Sequence, residues 1–453
     1  MTYILQYYEN NNMRILLITA EEWNNNVFGN GVLTNWFTGF DAEFAQIYTS
    51  PGLPYNDICN RYFRISDGEM AYSLISNKKA GRIVEKISAI EPKSVSMDNP
   101  KRKGVYGFMK KISLWCHTPV MLIRDFIWLY GRYDKIALKT FIDDFNPDIV
   151  FCPRYLTPSL MRLETIVRTL TDVPFVAFTA DDEASFRQFN WSPLYWMRRM
   201  WVHHKFTKHV KNFYEHYWTF SKNQAYEYAQ EYAIETSTLY KCGDFPEVFI
   251  EKKVGTPIRM VYAGRLYCNR WKTLAEIGKA LRLINKNCER IVLDIYTTEE
   301  LTSKYRKVLN SKNSIYVHGC VTPVELVEIY KKGDIALHVE SMDKKNRLAT
   351  RVSFSTKIID LMASTCAILA VCWNQHAGYQ YLKEHDAAFC VSDTKEIFPQ
   401  LQILCDNPEL IQLYARKAYN CGIQNHSRGK IQKQIRKMFD SIIGNLQNLD
   451  IKQ

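Results

Sequence analysis

At 453 residues the chain is too long for one ordinary core and suits two domains of about 200 residues each. Hydrophobic residues at 47% and aromatics at 13% supply packed cores and exclude wholesale disorder. The formal charge of +12 points to anionic company: nucleotide phosphates, nucleic acid or the acidic face of a membrane.

Met1 to Asn12 is rich in tyrosine and asparagine and lacks the basic start of a secretory signal, so none is expected. The first strand is Arg14 to Thr19, a continuous apolar run of the kind buried in parallel sheets. The loop from Asn26 to Val32 carries Gly29 and Gly31 and leads into a helix-like segment through Trp36. Such a loop at a helix start presents amides to a phosphate, and a plain turn explains it equally well. Further strands are expected at Glu43 to Tyr48, Asp148 to Cys152 and Pro174 to Thr179. Between the last two, Pro158 to Thr171 sets Leu160, Leu163, Ile166, Val167 and Leu170 on one helical face. Strand, helix and strand make a βαβ unit with a right-handed crossover.

Two segments fit this alternation poorly and read as helical insertions. Pro92 to Lys135 mixes Lys101, Arg102, Lys103, Lys110 and Lys111 with Phe108, Trp115, Met121, Phe126 and Trp128. Trp196 to Trp218 sets Arg198, Arg199, Lys205, Lys208 and Lys211 among aromatics. Bases interleaved with aromatics suit an anionic membrane surface, and packing of large side chains inside the domain accounts for them equally. The ten histidines show no metal spacing, and His203, His204 and His209 belong to a basic helix face.

A strand and helix at Tyr217 to Ala233 close this half, and Gly243 to Pro257 reads as a linker. Strands beginning at Ile258, Ile291, Ile315, Ile335, Ala367 and Ala388 then alternate with helices, and Arg428 to Leu446 is one more helix. The longest uncharged apolar run, Ala363 to Trp373, is far short of the roughly 20 residues that span a bilayer. None of the 12 cysteines forms a Cys-x-x-Cys pair, so buried, reduced thiols of a cytosolic protein are expected. The economical architecture is α/β: two doubly wound, Rossmann-like domains facing each other across a cleft.

The strand from Ile258 runs straight into Gly264-Arg265-Leu266, with Arg270 and Lys272 close behind. Glycine admits close backbone approach, and arginine can fork two hydrogen bonds onto a phosphate; taken alone, surface bases near a helix start explain the pattern as well. Further on, Ser355 or Thr356 stands at a helix start as an N-cap whose free amides favour an anion. Lys357 follows in the first turn, against the preference of the helix dipole, which implies an anion nearby. Asp360, three residues later, is placed to accept both hydroxyls of a ribose, and an ordinary capped helix with a solvated Lys357 and Asp360 explains the pair equally well. Asp181 and Asp182 follow the strand that ends at Thr179, where they either orient an acceptor hydroxyl and stabilise positive charge or cap the next segment. With no Asp-x-Asp pair at a strand end, bases rather than a metal are expected to hold the nucleotide.

The order strand, Gly-Arg-Leu, base, then Phe-Ser-Thr-Lys-Ile-Ile-Asp-Leu-Met-Ala-Ser, then Ala-Ile-Leu-Ala-Val resembles the donor half of retaining glycosyltransferases of family 4, which have the GT-B fold. The resemblance covers about Ile258 to Tyr419, and the amino-terminal half only in outline. It implies an acceptor-side domain over residues 1–250, a donor-binding domain over 251–425, and a C-terminal helix, 426–453, packing back on the first. It also implies that Arg265 and Arg270 hold the donor diphosphate and that Asp360, in place of the usual glutamate, holds the ribose. The glycine loop, Gly29 and Gly31, would face donor and acceptor. Where the family commonly has a second glutamate, eight positions before that carboxylate, this chain has Val352, and Glu340 is the acid chosen to face the sugar instead. Asp181 and Asp182 lie near where members often carry a histidine.

The activity implied is transfer of a sugar from a nucleotide-diphosphate donor to an acceptor hydroxyl with retention. The nucleotide sugar is the substrate, and neither a cofactor nor a metal is expected. A saccharide or lipid-linked saccharide acceptor, in surface polysaccharide or glycolipid assembly, would place the protein in the cytoplasm, peripheral to the inner membrane face. Two rivals remain: another GT-B activity such as nucleotide-sugar epimerisation, and a basic nucleic-acid-binding protein. No nucleic-acid motif supports the second.

Overall fold

The computed structural model describes residues 12–25, 31–87, 117–153, 157–300, 302–309 and 313–450. Eight strands make the first sheet: Met13–Thr19 (β1), Ala42–Tyr48 (β2), Arg61–Arg64 (β3), Arg82–Ile83 (β4), Ile149–Pro153 (β5), Phe175–Thr179 (β6), His216–Thr219 (β7) and Thr236–Thr238 (β8). Their order is β4-β3-β2-β1-β5-β6-β7-β8, and only β3 with β4 is antiparallel. The second sheet holds Ile258–Ala263 (β9), Ile291–Tyr296 (β10), Ile315–His318 (β11), Ile335–Val339 (β12), Ala367–Val371 (β13) and Phe389–Val391 (β14). It runs β11-β10-β9-β12-β13-β14 and is parallel throughout. Two doubly wound α/β units are therefore present, as the alternation of strands and helices predicts.

Strands covered on both faces must be apolar along their length, and β12 and β13 are buried at every position. The helix Pro158–Arg168 shows the matching logic. The Thr157 hydroxyl accepts from the Leu160 amide, Pro158 fits the first turn, and Leu160, Leu163, Ile166 and Val167 are buried. Each such side chain contributes about 1.5–3 kcal/mol relative to an exposed one.

One region shows no signal in the sequence pattern, and one sequence expectation needs correction. The region between residues 61 and 83 forms β3, a helix Asp67–Ile75 and β4, none of which periodicity revealed. The legible signal was Ser66-x-x-Glu69, a capping box in which each residue's side chain accepts from the other's backbone amide. The segment from Trp196 is no insertion: Pro193–Phe213 is the crossover helix between β6 and β7, anchored by Val202, Phe206 and Val210 at four-residue spacing. Of the expected insertion at Pro92 to Lys135, residues 92–116 lie outside the described residues. Its remainder forms the helix His117–Tyr130, packed on the helices Asp67–Ile75, Pro158–Arg168 and Pro193–Phe213.

The helix Arg428–Asp450 crosses from the second half to the first sheet. Phe439 packs its ring 5.8 Å from Phe151 and 5.5 Å from Trp218, and Gln432 donates to the carbonyls of Trp36 and Thr38. Among the described residues no helix is long and apolar enough to cross a membrane. Of the 11 described cysteines none is paired, and six are buried. Cys288 and Cys320 are exposed, contrary to the expected uniform burial.

Candidate active site in the interdomain cleft

In open α/β sheets ligands bind beyond the carboxyl ends of strands, where the strand order reverses. Here that is between β1 and β5 in one half and between β9 and β12 in the other. The loops leaving those strands face each other and line two adjoining cavities, of about 550 and 660 Å³. The first lies between the halves and is lined by Glu21, Gly31, Asp181, Lys241 and Ser353 among others. The second runs into the C-terminal half, past Gly264, Arg265, Tyr296, Thr297, Lys357 and Leu361. Glu21, Tyr267, Arg270, Glu340, Ser355 and Thr356 line both.

The loop after β9 is held in place by its own hydrogen bonds. One carboxylate oxygen of Glu299 accepts from the amides of Leu266 and Tyr267 at 3.1 and 3.2 Å, and the Tyr262 hydroxyl donates to the Arg265 carbonyl at 2.7 Å. At Gly264 a Cβ would lie 2.4 Å from the Lys357 ammonium, which donates to the Ala263 carbonyl, so a side chain there would displace that lysine. The guanidinium groups of Arg265 and Arg270 stand 5.7 and 4.9 Å from the centre of the Tyr267 ring. Arg265, Arg270 and Lys357 thus converge on the second cavity.

Arg270 is not the free base that the sequence implies. It forms a forked ion pair with Glu340, Nε to Oε2 at 2.9 Å and Nη2 to Oε1 at 2.8 Å. Glu340 leaves the end of β12, and its carbonyl accepts from the Thr273 hydroxyl at 2.9 Å. Burial pushes the Glu340 carboxyl up, but His376, Arg270 and His338 outweigh it and hold it below its ordinary value. Burial also pushes both histidines down, His338 to about 3, so they are neutral near pH 7 and Arg270 is the standing charge partner. The Lys357 ammonium is pushed down to about 8, first by the enclosing cleft walls, then by Arg270 and Arg265, with Glu340 and Asp360 offsetting in part.

The other expected residues sort as follows. Ser355 and Thr356 line both cavities, yet neither caps the helix Lys357–Ala363. Thr356 is itself helical, so its hydroxyl cannot reach back to the first amides. Asp360, on the following turn, pairs with Lys241 of the first half at 2.6 Å. Asp181 lines the first cavity and accepts from the Ser353 hydroxyl across the cleft. Asp182 turns away from it. Its carboxylate binds the amide and hydroxyl of Ser185, Gln188 and Arg199, and its side chain is 2% exposed, which is the capping role. Val352 is buried and offers only its carbonyl, to the Ser221 hydroxyl at 2.9 Å. Gly31 lines the first cavity, and Gly29 lies outside the described residues.

Sequence reasoning missed Glu21, Lys241, Tyr267, His338 and His376. Glu21 and His338 had a usable signal, since each lies in or just beyond a strand that borders a switch point. The other three had none. His338, distant in sequence from the neighbouring Cys372 and His376, brings a ligand atom within 4.8 Å of theirs in the buried floor beside Glu340. They are one ligand short of a closed tetrahedral zinc site, and burial keeps the Cys372 thiol protonated. His376 Nδ1 already accepts from the Gly378 amide at 3.1 Å, which leaves its proton on Nε2.

No protein-family model matches the sequence, and no curated protein matches it. Solved structures match the fold over nearly the whole chain. HepE of Anabaena in complex with UDP is 11% identical over 95% of this chain and 100% of its own, with a TM-score of 0.59. Sucrose-phosphate synthase of Thermosynechococcus elongatus is 11% identical over 96% of this chain and 100% of its own, at 0.58. An α,α-trehalose 6-phosphate synthase of Burkholderia multivorans is 11% identical over 97% and 98%, at 0.56. The chain therefore has the GT-B fold, two Rossmann-like domains across a cleft.

Proposed function

We propose that the chain transfers a glycosyl group from a nucleotide-diphosphate sugar to an acceptor hydroxyl. The observation that carries this reading is the convergence of Arg265, Arg270 and Lys357 on a cavity that opens into a second one between the halves, with Glu340 at the junction. Cations there neutralise a departing diphosphate, and the adjoining cavity gives the acceptor its place. The fold likeness supports it, since HepE of Anabaena has been crystallised with UDP and with UDP-glucose.

In this reading Arg265 and Lys357 meet the diphosphate, and Arg270 is shared between Glu340 and the donor. Asp360 receives the ribose hydroxyls. Asp181 borders the acceptor, while Asp182 only shapes its loop. Retention at the anomeric carbon and transfer without a metal or cofactor belong to the same reading. So does a saccharide acceptor, free or lipid-linked, in surface polysaccharide or glycolipid assembly, with the protein in the cytoplasm and peripheral to the membrane. A thermal-shift panel of UDP, GDP and ADP and their sugars tests it. A ligand at 100 times its dissociation constant stabilises by about 2.7 kcal/mol. Arg265→Ala should then lose several kcal/mol of transition-state stabilisation, about the scale of such charge clamps. Near-normal transfer by that variant, or no nucleotide response at all, defeats the assignment.

A further inference from the structure

On the outer face of the first half, the helices His117–Tyr130, Pro158–Arg168 and Pro193–Phe213 enclose a groove of about 530 Å³. Leu122, Phe126, Leu129 and Trp201 make its apolar walls, and Lys205 stands at its rim. The apolar surface continues outside the groove, where Ile123 is 61% and Met197 62% exposed. Single exposed apolar side chains are ordinary. A run of large ones on two neighbouring helices marks a surface that something covers.

The charge pattern says what covers it. The helix Pro193–Phe213 contains no acidic residue. Arg198 is engaged by Asp125 of the neighbouring helix at 3.0 Å, and Arg199 by Asp182 at 3.3 Å. Lys205, Lys208 and Lys211 are exposed and have no ion-pair partner among the described residues. Apolar side chains therefore occupy the first turns of this helix, and unpaired lysines the last ones. A bilayer offers the complement, acyl chains for the former and anionic headgroups for the latter, with lysine stems long enough to reach upward.

We propose that this face docks on a bilayer that contains anionic lipid, with Ile123, Phe126 and Met197 seated among the acyl chains. It deepens the glycosyl-transfer reading and in one respect rests on it. Arg199 grips Asp182, whose neighbour Asp181 lines the cleft, so the docked face lies beside the acceptor wall. An acceptor carried in the bilayer is thereby brought to the cleft.

Co-sedimentation of the full chain with vesicles of phosphatidylcholine alone, or mixed with phosphatidylglycerol, is the test. Binding is expected to the mixed vesicles, and to weaken in high salt. Each lysine replaced should lower the partition about fivefold or more, so Lys205→Glu with Lys208→Glu should lower it at least tenfold. Ile123→Ser, Phe126→Ser and Met197→Ser together should abolish it. These side chains are exposed, and an unchanged melting temperature and circular-dichroism spectrum of each unliganded variant show that the fold persists. Equal partition into both vesicle types overturns the proposal, as does wild-type binding by the triple variant. A dimer in sedimentation velocity that the triple variant dissolves gives the face to a second copy of the chain. Transfer to a soluble acceptor is measured separately, so its absence defeats the catalytic reading and leaves the vesicle result standing.

Discussion

Arg270 and Glu340, 70 residues apart in sequence, close a two-pronged ion pair where the two cavities of the cleft meet. Glu340 is 5% exposed, so removing its partner strands a buried charge. Arg270→Ala should cost about 3–5 kcal/mol in chemical denaturation, the scale for breaking a buried pair. Adding Glu340→Gln to that variant should recover part of the loss, with a coupling of about 0.5–3 kcal/mol. Strict additivity would show that the pair does not couple. The folded Glu340 carboxyl lies below its ordinary 4.5, so its contribution is present above that pH and lost as pH falls through the lower value.

Lys357 makes nucleotide affinity depend on pH in the sense opposite to that stability term. Its ammonium is pushed down to about 8, and an anion beside it restores the proton. Nucleoside diphosphate affinity should therefore be level below that pH, and fall as pH rises through it. Binding near pH 8 should take up a proton, visible as a buffer-dependent enthalpy in calorimetry. Lys357→Met should lower affinity and flatten the profile, and an unchanged profile in that variant would remove Lys357 from the phosphate site. For stability the sign is also set: with the folded value below the unfolded 10.5, the charge penalty is fully present under pH 8 and is relieved between the two values.

Asp360 meets Lys241 across the cleft at 2.6 Å, in the position proposed for the ribose hydroxyls. Asp360→Asn should weaken UDP by about 1.5–3 kcal/mol, the scale of hydrogen bonds to a charged group. It should leave 2′,3′-dideoxy-UDP nearly unaffected. Equal losses for both nucleotides would mean that Asp360 only holds Lys241 and never touches the sugar.

Phe439 ties the C-terminal helix to the first sheet and is fully buried against Phe151 and Trp218. Phe439→Ala should cost about 3–5 kcal/mol, measured by denaturant titration, through the cavity it leaves. Removing residues 428–453 should destabilise the first domain more than the second, which domain-resolved hydrogen exchange would register.

How far the sequence could be read depended on whether a feature was local. Strands β1, β2, β5, β6 and β9 were legible because a parallel strand covered on both faces must be apolar along its length. Strand β3, Arg-Tyr-Phe-Arg, was not, since it is short, flanked by arginines and close to the sheet edge. The crossover helix Pro193–Phe213 reads as an insertion because only three of its positions face the core, and large side chains elsewhere on it blur the period. In the site, the glycine and arginine at the end of β9 were legible for the same local reason.

By itself, then, the sequence determined that strands and helices alternate into two doubly wound halves, and that Gly264 and Arg265 follow directly on a strand. Both follow from backbone periodicity, which neighbouring residues set between them. Only the tertiary structure decided which charges were still available for a ligand. Arg270 went to Glu340, Asp360 to Lys241 and Asp182 to Arg199, and Glu21 and His376 entered the cavity walls. An ion pair depends on separation in space and on exclusion of water, and neither has a period in the chain.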